Sequence, residues 1–134
     1  MKEITANLNS YRQSPRKVRL VADSIRGKKV LDAKTVLGFM IKRSSAPLHK
    51  LLNSAVANAK NMGIEEKDLF VKEVRVDGGA ILYRRMPVAH GSAHPIRKRT
   101  SHIKIVLAEK SGGVKEAKKK AEPKTKKDNI KAKK

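Results

Sequence analysis

Residues 78–108 read GGAILYRRMPVAHGSAHPIRKRTSHIKIVLA, a stretch of thirty-one residues without one Asp or Glu. Both ends alternate as β-strands do, whereas Pro87, Gly91 and Pro95 in the middle favour a turn. We therefore predict a long β-hairpin. Its outer half carries the basic residues Arg84, Arg85, Arg97, Lys98 and Arg99. A two-stranded arm with one sign of charge repels itself and has no core of its own, so the pattern indicates stabilisation by a polyanion.

The strand that enters this hairpin is predicted to begin at Leu69. One predicted face carries Phe70, Lys72, Val74 and Val76, and the other carries Val71, Glu73, Arg75 and Asp77. Asp77-Gly78-Gly79 fits either a hairpin turn or a β-bulge, and we favour the bulge because the next turn residues come only at 87–95. The return strand is Thr100–Leu107. If about ten residues per arm project from the core, the reach is roughly 30 Å at about 3.3 Å per residue.

Before the hairpin, the sequence predicts a strand over residues 3–11 and then a basic amphipathic helix. Ser14 caps this helix, Pro15 occupies its first position and Gly27 ends it. Its apolar stripe consists of Val18, Val21, Ala22 and Ile25. On the opposite side lie Arg16, Arg19 and Arg26, with Asp23 among them as a local partner. This arrangement is typical of a helix that lies on a phosphate backbone.

Two further helices are predicted. The first spans about Val30–Ile41, although Gly38 weakens it. The second is capped by Ser45, has Pro47 in its first turn and ends at Gly63. Its stripe is formed by Leu48, Leu51, Leu52, Ala55, Val56, Ala59 and Met62. The opposite face is less basic than that of the first helix, so this helix is expected to form core.

The composition narrows the function classes. A chain of 134 residues is one ordinary domain, and 33 Lys and Arg against 12 Asp and Glu give a net charge of +21, which indicates an anionic partner. No apolar stretch is long enough to span a membrane, and the N-terminus lacks a signal sequence, so a soluble, non-secreted protein is expected. Cysteine is absent, which fits a reducing compartment. With only 3% aromatic residues, a base-stacking platform is disfavoured.

The last segment, residues 111–134, differs from the rest. It holds ten Lys against Glu116, Glu122 and Asp128, and almost no large apolar residues. Because it has so little apolar surface to bury, we predict that it is disordered alone. Residues 1–110 are expected to form the single domain.

No catalytic or metal site is predicted. His90, His94 and His102 lie close in sequence, but no Cys, Asp or Glu joins them. A hydrogen-bonding or phosphate-contacting role is expected for His102 instead. Ser92 beside His94 lacks an orienting acid, and no phosphate-binding glycine loop is present. We therefore expect no enzyme, no metal and no cofactor.

Three ordered motifs resemble the L-twenty-two family of large-subunit ribosomal proteins, bacterial type. They are RQSPRKVRLVADSIRGKKV at 12–30, LNSAVANA at 52–59 and KRTSHI at 98–103, the last preceded by Met86-Pro87 and by an Ala89-x-Gly91-x-Ala93 spacing. The resemblance covers about residues 3–109. It implies an α+β fold in which helices pack on a three-stranded antiparallel sheet, with one greatly extended hairpin.

The resemblance also implies a function: a cytoplasmic, ribosomal chain whose hairpin runs through large-subunit rRNA and whose tip lines the nascent-peptide exit tunnel. Its partners would be this rRNA, neighbouring ribosomal proteins and the nascent peptide, with no membrane partner and no homo-oligomer. The residues expected to bind rRNA are Arg12, Arg16, Lys17, Arg19, Arg26, Lys28, Lys29, Arg84, Arg85, Arg97, Lys98, Arg99, Thr100, Ser101 and His102. The expected tip is Met86, Pro87, Val88, Ala89, His90, Gly91 and Ser92.

The tip departs from the usual family pattern, which has Arg where this chain has Val88 and Ser92. His90 replaces a common Lys or Arg, and Pro95 is also unusual. The family's arginine contacts at the tunnel constriction therefore cannot be transferred to this chain. The alternative function is a free nucleoid-type or chaperone-like nucleic-acid binder. A cationic membrane-surface protein is disfavoured, because the basic helix lacks bulky aromatic residues.

Overall fold

A three-stranded antiparallel sheet and three helices are built by residues 3–109, the part of the chain that the computed structural model describes. The order is β1 (Glu3–Tyr11), α1 (Pro15–Ile25), α2 (Val30–Phe39), α3 (Ser45–Asn61), β2 (Leu69–Pro87) and β3 (Ala93–Glu109), with single 3-10 turns at Glu66–Asp68 and Ala89–Gly91. The strands lie in the order β1-β3-β2, so β3 is central. The expected α+β class and the long hairpin are confirmed.

The core lies between the helices and one face of the sheet. The stripe predicted for α1 is buried in full, and so is that of α3 up to Ala59. They pack with Ile103, Ile105 and Leu107 of β3. Burying these side chains is the main stabilising contribution, at about 25 cal/mol per Å² of apolar surface removed from water. The part of the chain beyond the core is the outer half of the hairpin, from the Ile81–Arg99 pair to the turn, which we call the arm.

The α2–α3 connection differs from the prediction at both ends. α2 ends at Phe39, and Ile41 is 98% exposed, so the predicted helix was two residues too long. Ser45 is the first residue of α3 and not its cap. Its hydroxyl donates back towards the carbonyl oxygens of Met40 and Lys42, at 3.0 and 2.8 Å, and so closes the preceding loop. Together with the Lys42 N–H, which donates to the Met40 carbonyl at 2.9 Å, these bonds hold residues 40–44 in a tight loop instead of a further helical turn.

Two smaller predictions about helix ends also needed correction. Ser14 occupies the cap position of α1, but its side chain makes no capping hydrogen bond. Met62 follows α3 instead of extending its stripe, and its side chain is 55% exposed. The reason is Gly63, whose φ of 77° turns the chain away from the core one residue earlier than the pattern indicates.

The start of β2 is where the predicted alternation is wrong. Val71 pairs with Leu107 and Glu73 with Val106, so Lys72 is an extra residue in a β-bulge. The bulge reverses the faces: Leu69 and Val71 are buried before it, and Val74 and Val76 after it. The sequence signal of such a bulge is the spacing of the buried residues: Leu69 and Val71 are two apart, as are Val74 and Val76, but Val71 and Val74 are three apart.

The preferred bulge at Asp77-Gly78-Gly79 is confirmed. β2 continues to Pro87, and the register shifts between Gly78 and Ile81, where two residues lie opposite the single Thr100. A Cβ at Gly79 would lie 2.5 Å from Thr100 Oγ1 and 2.9 Å from His102 Nε2. Glycine is therefore needed here because the arm strand passes close to β3.

The turn is shorter than predicted. Pro87 pairs with Ala93 and Pro95 with Arg85, so Pro95 is a strand residue and the turn comprises residues 88–92. The Val88 N–H donates to the Ser92 carbonyl at 2.9 Å. His90 and Gly91 have φ values of 57° and 71°, which reverse the chain. Pro95 is tolerated because a two-stranded arm consists only of edge strands.

The predicted disorder of residues 111–134 falls outside the described residues. Between residues 3 and 109, no helix has the length and apolar character needed to cross a membrane.

Candidate nucleic-acid interface

The basic residues of the arm are staggered instead of paired. Lys98 lies opposite Leu82, Arg97 opposite Tyr83 and Arg84 opposite Ile96. No two cations of the arm face each other directly, which avoids like-charge repulsion across the ladder. Because directly opposed residues share a face, Arg85, Arg97 and Arg99 lie on one face, and Arg84 and Lys98 on the other. The five basic residues of the arm therefore form a diagonal row that displays charge on both faces.

A groove of about 600 Å³ opens where the arm leaves the core. We call it the junction groove. Its basic lining residues are Arg12, Lys17, Arg43, Arg84, Arg97, Lys98 and Arg99, accompanied by Gln13, Ser14, Leu82 and Thr100. No acidic side chain lines it. Three segments that are distant in sequence thus place guanidinium and ammonium groups around one open concavity, as a polyanion requires.

Arg43 is the residue that sequence reasoning missed. It lies in the α2–α3 loop, is exposed and lines the junction groove. The Tyr11 hydroxyl is 3.5 Å from its carbonyl oxygen, which places the loop beside the end of β1. The only sequence signal is the Lys42-Arg43 pair just before α3.

Two of the α1 arginines hold the sheet. Arg19 donates through Nε and Nη2 to the carbonyl oxygen of Val76, at 3.1 and 2.9 Å. Arg26 donates to the carbonyl of Val74 at 3.0 Å and forms the anticipated ion pair with Asp23 at 2.8 Å. β2 is an edge strand, so these bonds satisfy carbonyl groups that β3 does not reach. Part of the basic face of α1 is therefore committed to the fold.

A smaller pocket of about 390 Å³ lies at the start of α1, lined by Ser14, Pro15, Arg16, Arg19 and Arg99. We call it the helix pocket. Lys28 and Lys29 are exposed after α1 but line neither this pocket nor the junction groove. The Lys28 carbonyl accepts a bond from the Val71 N–H at 2.9 Å, which ties this loop to the start of β2.

Thr100, Ser101 and His102 lie inside the junction between core and arm. Thr100 is 5% exposed and donates through Oγ1 to the Ala80 carbonyl at 2.7 Å, and Ser101 is fully buried. The half-buried His102 accepts a hydrogen bond at Nδ1 from the Ser10 N–H at 3.2 Å. The hydrogen-bonding role expected for His102 is thus observed. Thr100 lines the junction groove although its hydroxyl is bonded to the Ala80 carbonyl, and the contact of Thr100 and Ser101 with RNA stays a prediction.

The tip is exposed throughout and carries no Lys, Arg, Asp or Glu. Met86 is 56% and Val88 41% exposed. The Ser92 hydroxyl donates to the Ala89 carbonyl at 2.8 Å, so it closes the turn and is not hydrogen-bonded to a general base such as His94. Among residues 3–109, no three His, Cys, Asp or Glu side chains are grouped as metal ligands would be.

The acidic residues of the described chain lie away from the arm and both concavities. Glu3 and Lys72 form an ion pair across the sheet, and the hydrogen bond and charge of Lys72 lower the pKa of Glu3 below its usual 4.5. Lys34 pairs with Glu66, and Arg75 with Glu73 at 3.1 Å. Outside the arm, therefore, cations are partly neutralised by neighbours, whereas the arm and the junction groove have no acidic partner.

Comparison with known proteins gives a consistent family match. The family model described as "Ribosomal protein L22p/L17e" matches residues 6–108. Three relatives are named large ribosomal subunit protein uL22. That of Deinococcus radiodurans is 57% identical, over 74% of this chain and 75% of its own length. The Geobacter sulfurreducens protein is 51% identical, over 81% of this chain and 98% of its own length. The Christiangramia forsetii protein is 53% identical, over 76% of this chain and 78% of its own length.

Proposed function

This chain belongs to the L22p/L17e family of ribosomal proteins, and from that membership we propose that its junction groove and hairpin bind large-subunit rRNA. It is a structural constituent of the large ribosomal subunit and not an enzyme. Its place is the cytoplasmic ribosome, and neighbouring large-subunit proteins are further partners.

The junction groove is the observation that carries the proposal. Seven basic side chains line it, contributed by the β1–α1 loop, α1, the α2–α3 loop and both arm strands, and no acidic residue balances them. In a free chain these charges repel one another, so the arrangement costs stability until anions fill the groove. The phosphates of a folded RNA supply several closely spaced negative charges that can neutralise these side chains together, whereas a single small anion cannot.

The arm fits insertion between RNA segments more than contact along one side. Arg85, Arg97 and Arg99 on one face and Arg84 and Lys98 on the other can neutralise phosphates on both sides at once. Four of these five are Arg, whose planar fork binds phosphate through two parallel hydrogen bonds. The low aromatic content agrees with recognition of the backbone and of RNA shape instead of stacked bases.

We assign a different role to the tip, that of a wall element of the nascent-peptide exit tunnel. Residues 88–92 form a tight, exposed turn without fixed charge, beyond the basic part of the arm. A neutral tip contributes little to phosphate binding and does not retain a charged peptide. Deleting residues 88–92 and joining the strands with Asn-Gly should leave rRNA affinity within about twofold, because the basic residues of the arm remain. Loss of incorporation into subunits would show that the tip serves assembly instead.

Sedimentation tests the ribosomal assignment against the free nucleic-acid binder. The tagged chain should comigrate with large subunits, one copy per particle, through gradients of high salt. A free binder relies on exposed charge alone and would be stripped under these conditions. An Arg12→Ala/Arg43→Ala variant should incorporate less well than a Lys50→Ala/Lys60→Ala control, which removes the same charge outside the two concavities. Equal incorporation of the two variants would remove the junction groove from the proposed function.

A further inference from the structure

We propose that the helix pocket is a binding site for one phosphate group, filled in the ribosome by a single RNA phosphodiester that links α1 to the hairpin arm. This inference rests on the proposed rRNA binding for its biological occupant. The pocket itself is present in the free chain: Arg16 and Arg19 reach it from α1, and Arg99 reaches it from β3. Eighty residues of sequence separate Arg19 from Arg99, so their convergence is a property of the fold.

Arg19 is fixed before any ligand arrives. Its Nε and Nη2 donate to the carbonyl oxygen of Val76, which orients the planar guanidinium and leaves its remaining N–H groups for another acceptor. Because the fork is already immobilised by the edge of β2, an anion that binds it loses less side-chain entropy. The basic residues of both concavities are exposed, so it is this pair of hydrogen bonds to one carbonyl oxygen that sets Arg19 apart.

The start of α1 adds donors to the same pocket. Pro15 has no N–H, and the Lys17 and Val18 N–H groups already reach the Ser14 carbonyl at 3.0 and 3.3 Å. The Arg16 N–H remains as a first-turn donor, and the Ser14 hydroxyl makes no capping bond. No acidic residue stands in the first turn. An anion at this end also interacts favourably with the helix dipole.

The acidic residues closest in sequence to Arg19 and Val76 do not line the pocket. Asp23, one turn along α1 from Arg19, is paired with Arg26, and Asp77, next to Val76 on β2, is exposed. Three guanidinium groups around one pocket suit a tetrahedral phosphate, since its oxygens accept from several forks at once. A bound phosphate would hold Arg99 against α1, and so would fix the direction in which the arm leaves the core.

The first experiment uses inorganic phosphate and the free, full-length chain. In ¹H–¹⁵N NMR, phosphate should cause saturable shifts of the Arg16 backbone amide and the Arg19 Nε–H. Arg99→Ala should weaken this binding by about tenfold, as expected for loss of one charge-assisted contact. Lys104→Ala is the matched control: it removes one charge from the same strand, outside both concavities, and should change the affinity less than twofold. Equal effects of the two variants, or shifts spread evenly over the basic surface, would overturn the proposal.

The second experiment identifies the biological occupant with large-subunit rRNA. If Arg16 and Arg99 hold one phosphate, either single substitution already loses most of that contact. The fold loss of rRNA affinity in Arg16→Ala/Arg99→Ala should therefore be smaller, by at least about threefold, than the product of the fold losses of the two single variants. Arg16→Ala/Lys98→Ala, whose residues belong to different concavities, should combine multiplicatively. Independent effects of Arg16 and Arg99 would remove the shared phosphate while leaving rRNA binding intact. Failure of every variant to change rRNA affinity would instead contradict the proposed function.

Discussion

Gly79 shows how one missing side chain sets the course of the hairpin. The residue lies in the bulge where β2 leaves the core, facing Thr100 and His102 of β3. Its backbone does not require a positive φ, so its importance comes from the close approach and not from conformational freedom. Thr100 then donates to the carbonyl of the next residue, Ala80, and secures the bulge.

Replacing Gly79 by Ala should lower the free energy of unfolding by about 1–3 kcal/mol, because the new methyl group overlaps Thr100 Oγ1 and His102 Nε2. Gly78→Ala is the control, since a Cβ there meets no atom within 4 Å. Urea denaturation followed by circular dichroism measures both. Unfolding midpoints that coincide for the two variants would show that β3 moves aside without cost.

The ion pair of Glu3 with Lys72 predicts a local pH dependence. Because Lys72 lowers the pKa of Glu3 in the folded chain, the pair's contribution to stability is present above the ordinary value of 4.5 and is lost as pH falls through the lowered pKa. In Lys72→Met, the pKa of Glu3 should rise back towards 4.5, as measured by NMR of its carboxyl carbon. An unchanged pKa would mean that Lys72 is not its partner in solution.

Among the helices and strands, α1 serves both fold and interface. Its apolar stripe packs on the sheet, while Arg19 and Arg26 reach over the edge of β2 to the carbonyls of Val76 and Val74. These bonds also cover an edge that would otherwise be open to pairing with another strand. The helix is therefore held to the sheet by both apolar packing and directed hydrogen bonds.

Arg19→Lys should lower the free energy of unfolding by about 1 kcal/mol even though the charge is kept, because Lys cannot reproduce the two bonds from one planar fork. Arg16→Lys is the matched control, since Arg16 makes no side-chain hydrogen bond within the described residues. Thermal unfolding should show a fall of about 4 °C for the first variant and almost none for the second. Similar melting temperatures would indicate that the Val76 bonds are exchanged for water without loss.

The sequence predicted these helices and strands well where side-chain period alone determines burial. The stripe of α1, the bounds of β1 and the continuation of β2 past Gly79 all follow from local pattern. The bulge at Lys72 could not be predicted from this pattern, because one inserted residue reverses the faces of the strand without changing its composition. The end of α2 depends on the bonds that Ser45 makes to the preceding loop, which no periodicity reports.

Over the entire fold, the acidic residues are separated from the basic residues of the arm and the junction groove. The acidic residues of the described chain lie in β1, α1, α2, residues 65–68, the first half of β2 and the end of β3. The arm and the junction groove hold only basic ones. Linear sequence predicted the two arm clusters but not their diagonal arrangement, nor the addition of Arg43, because these depend on register and on which loops meet. The fold thus concentrates at one junction charges that the sequence distributes over three segments.

The salt dependence of binding to large-subunit rRNA tests the proposed interface most directly. The logarithm of the affinity falls with the logarithm of salt concentration by about 0.9 per phosphate neutralised. For Arg97→Ala/Lys98→Ala/Arg99→Ala, we expect a slope shallower by about two to three than that of the unaltered chain. The control Lys50→Ala/Lys60→Ala/Lys67→Ala removes the same charge outside the arm and the junction groove, and should keep the original slope. Equal slopes for the two triple variants would contradict the central claim that the arm and the junction groove hold the RNA.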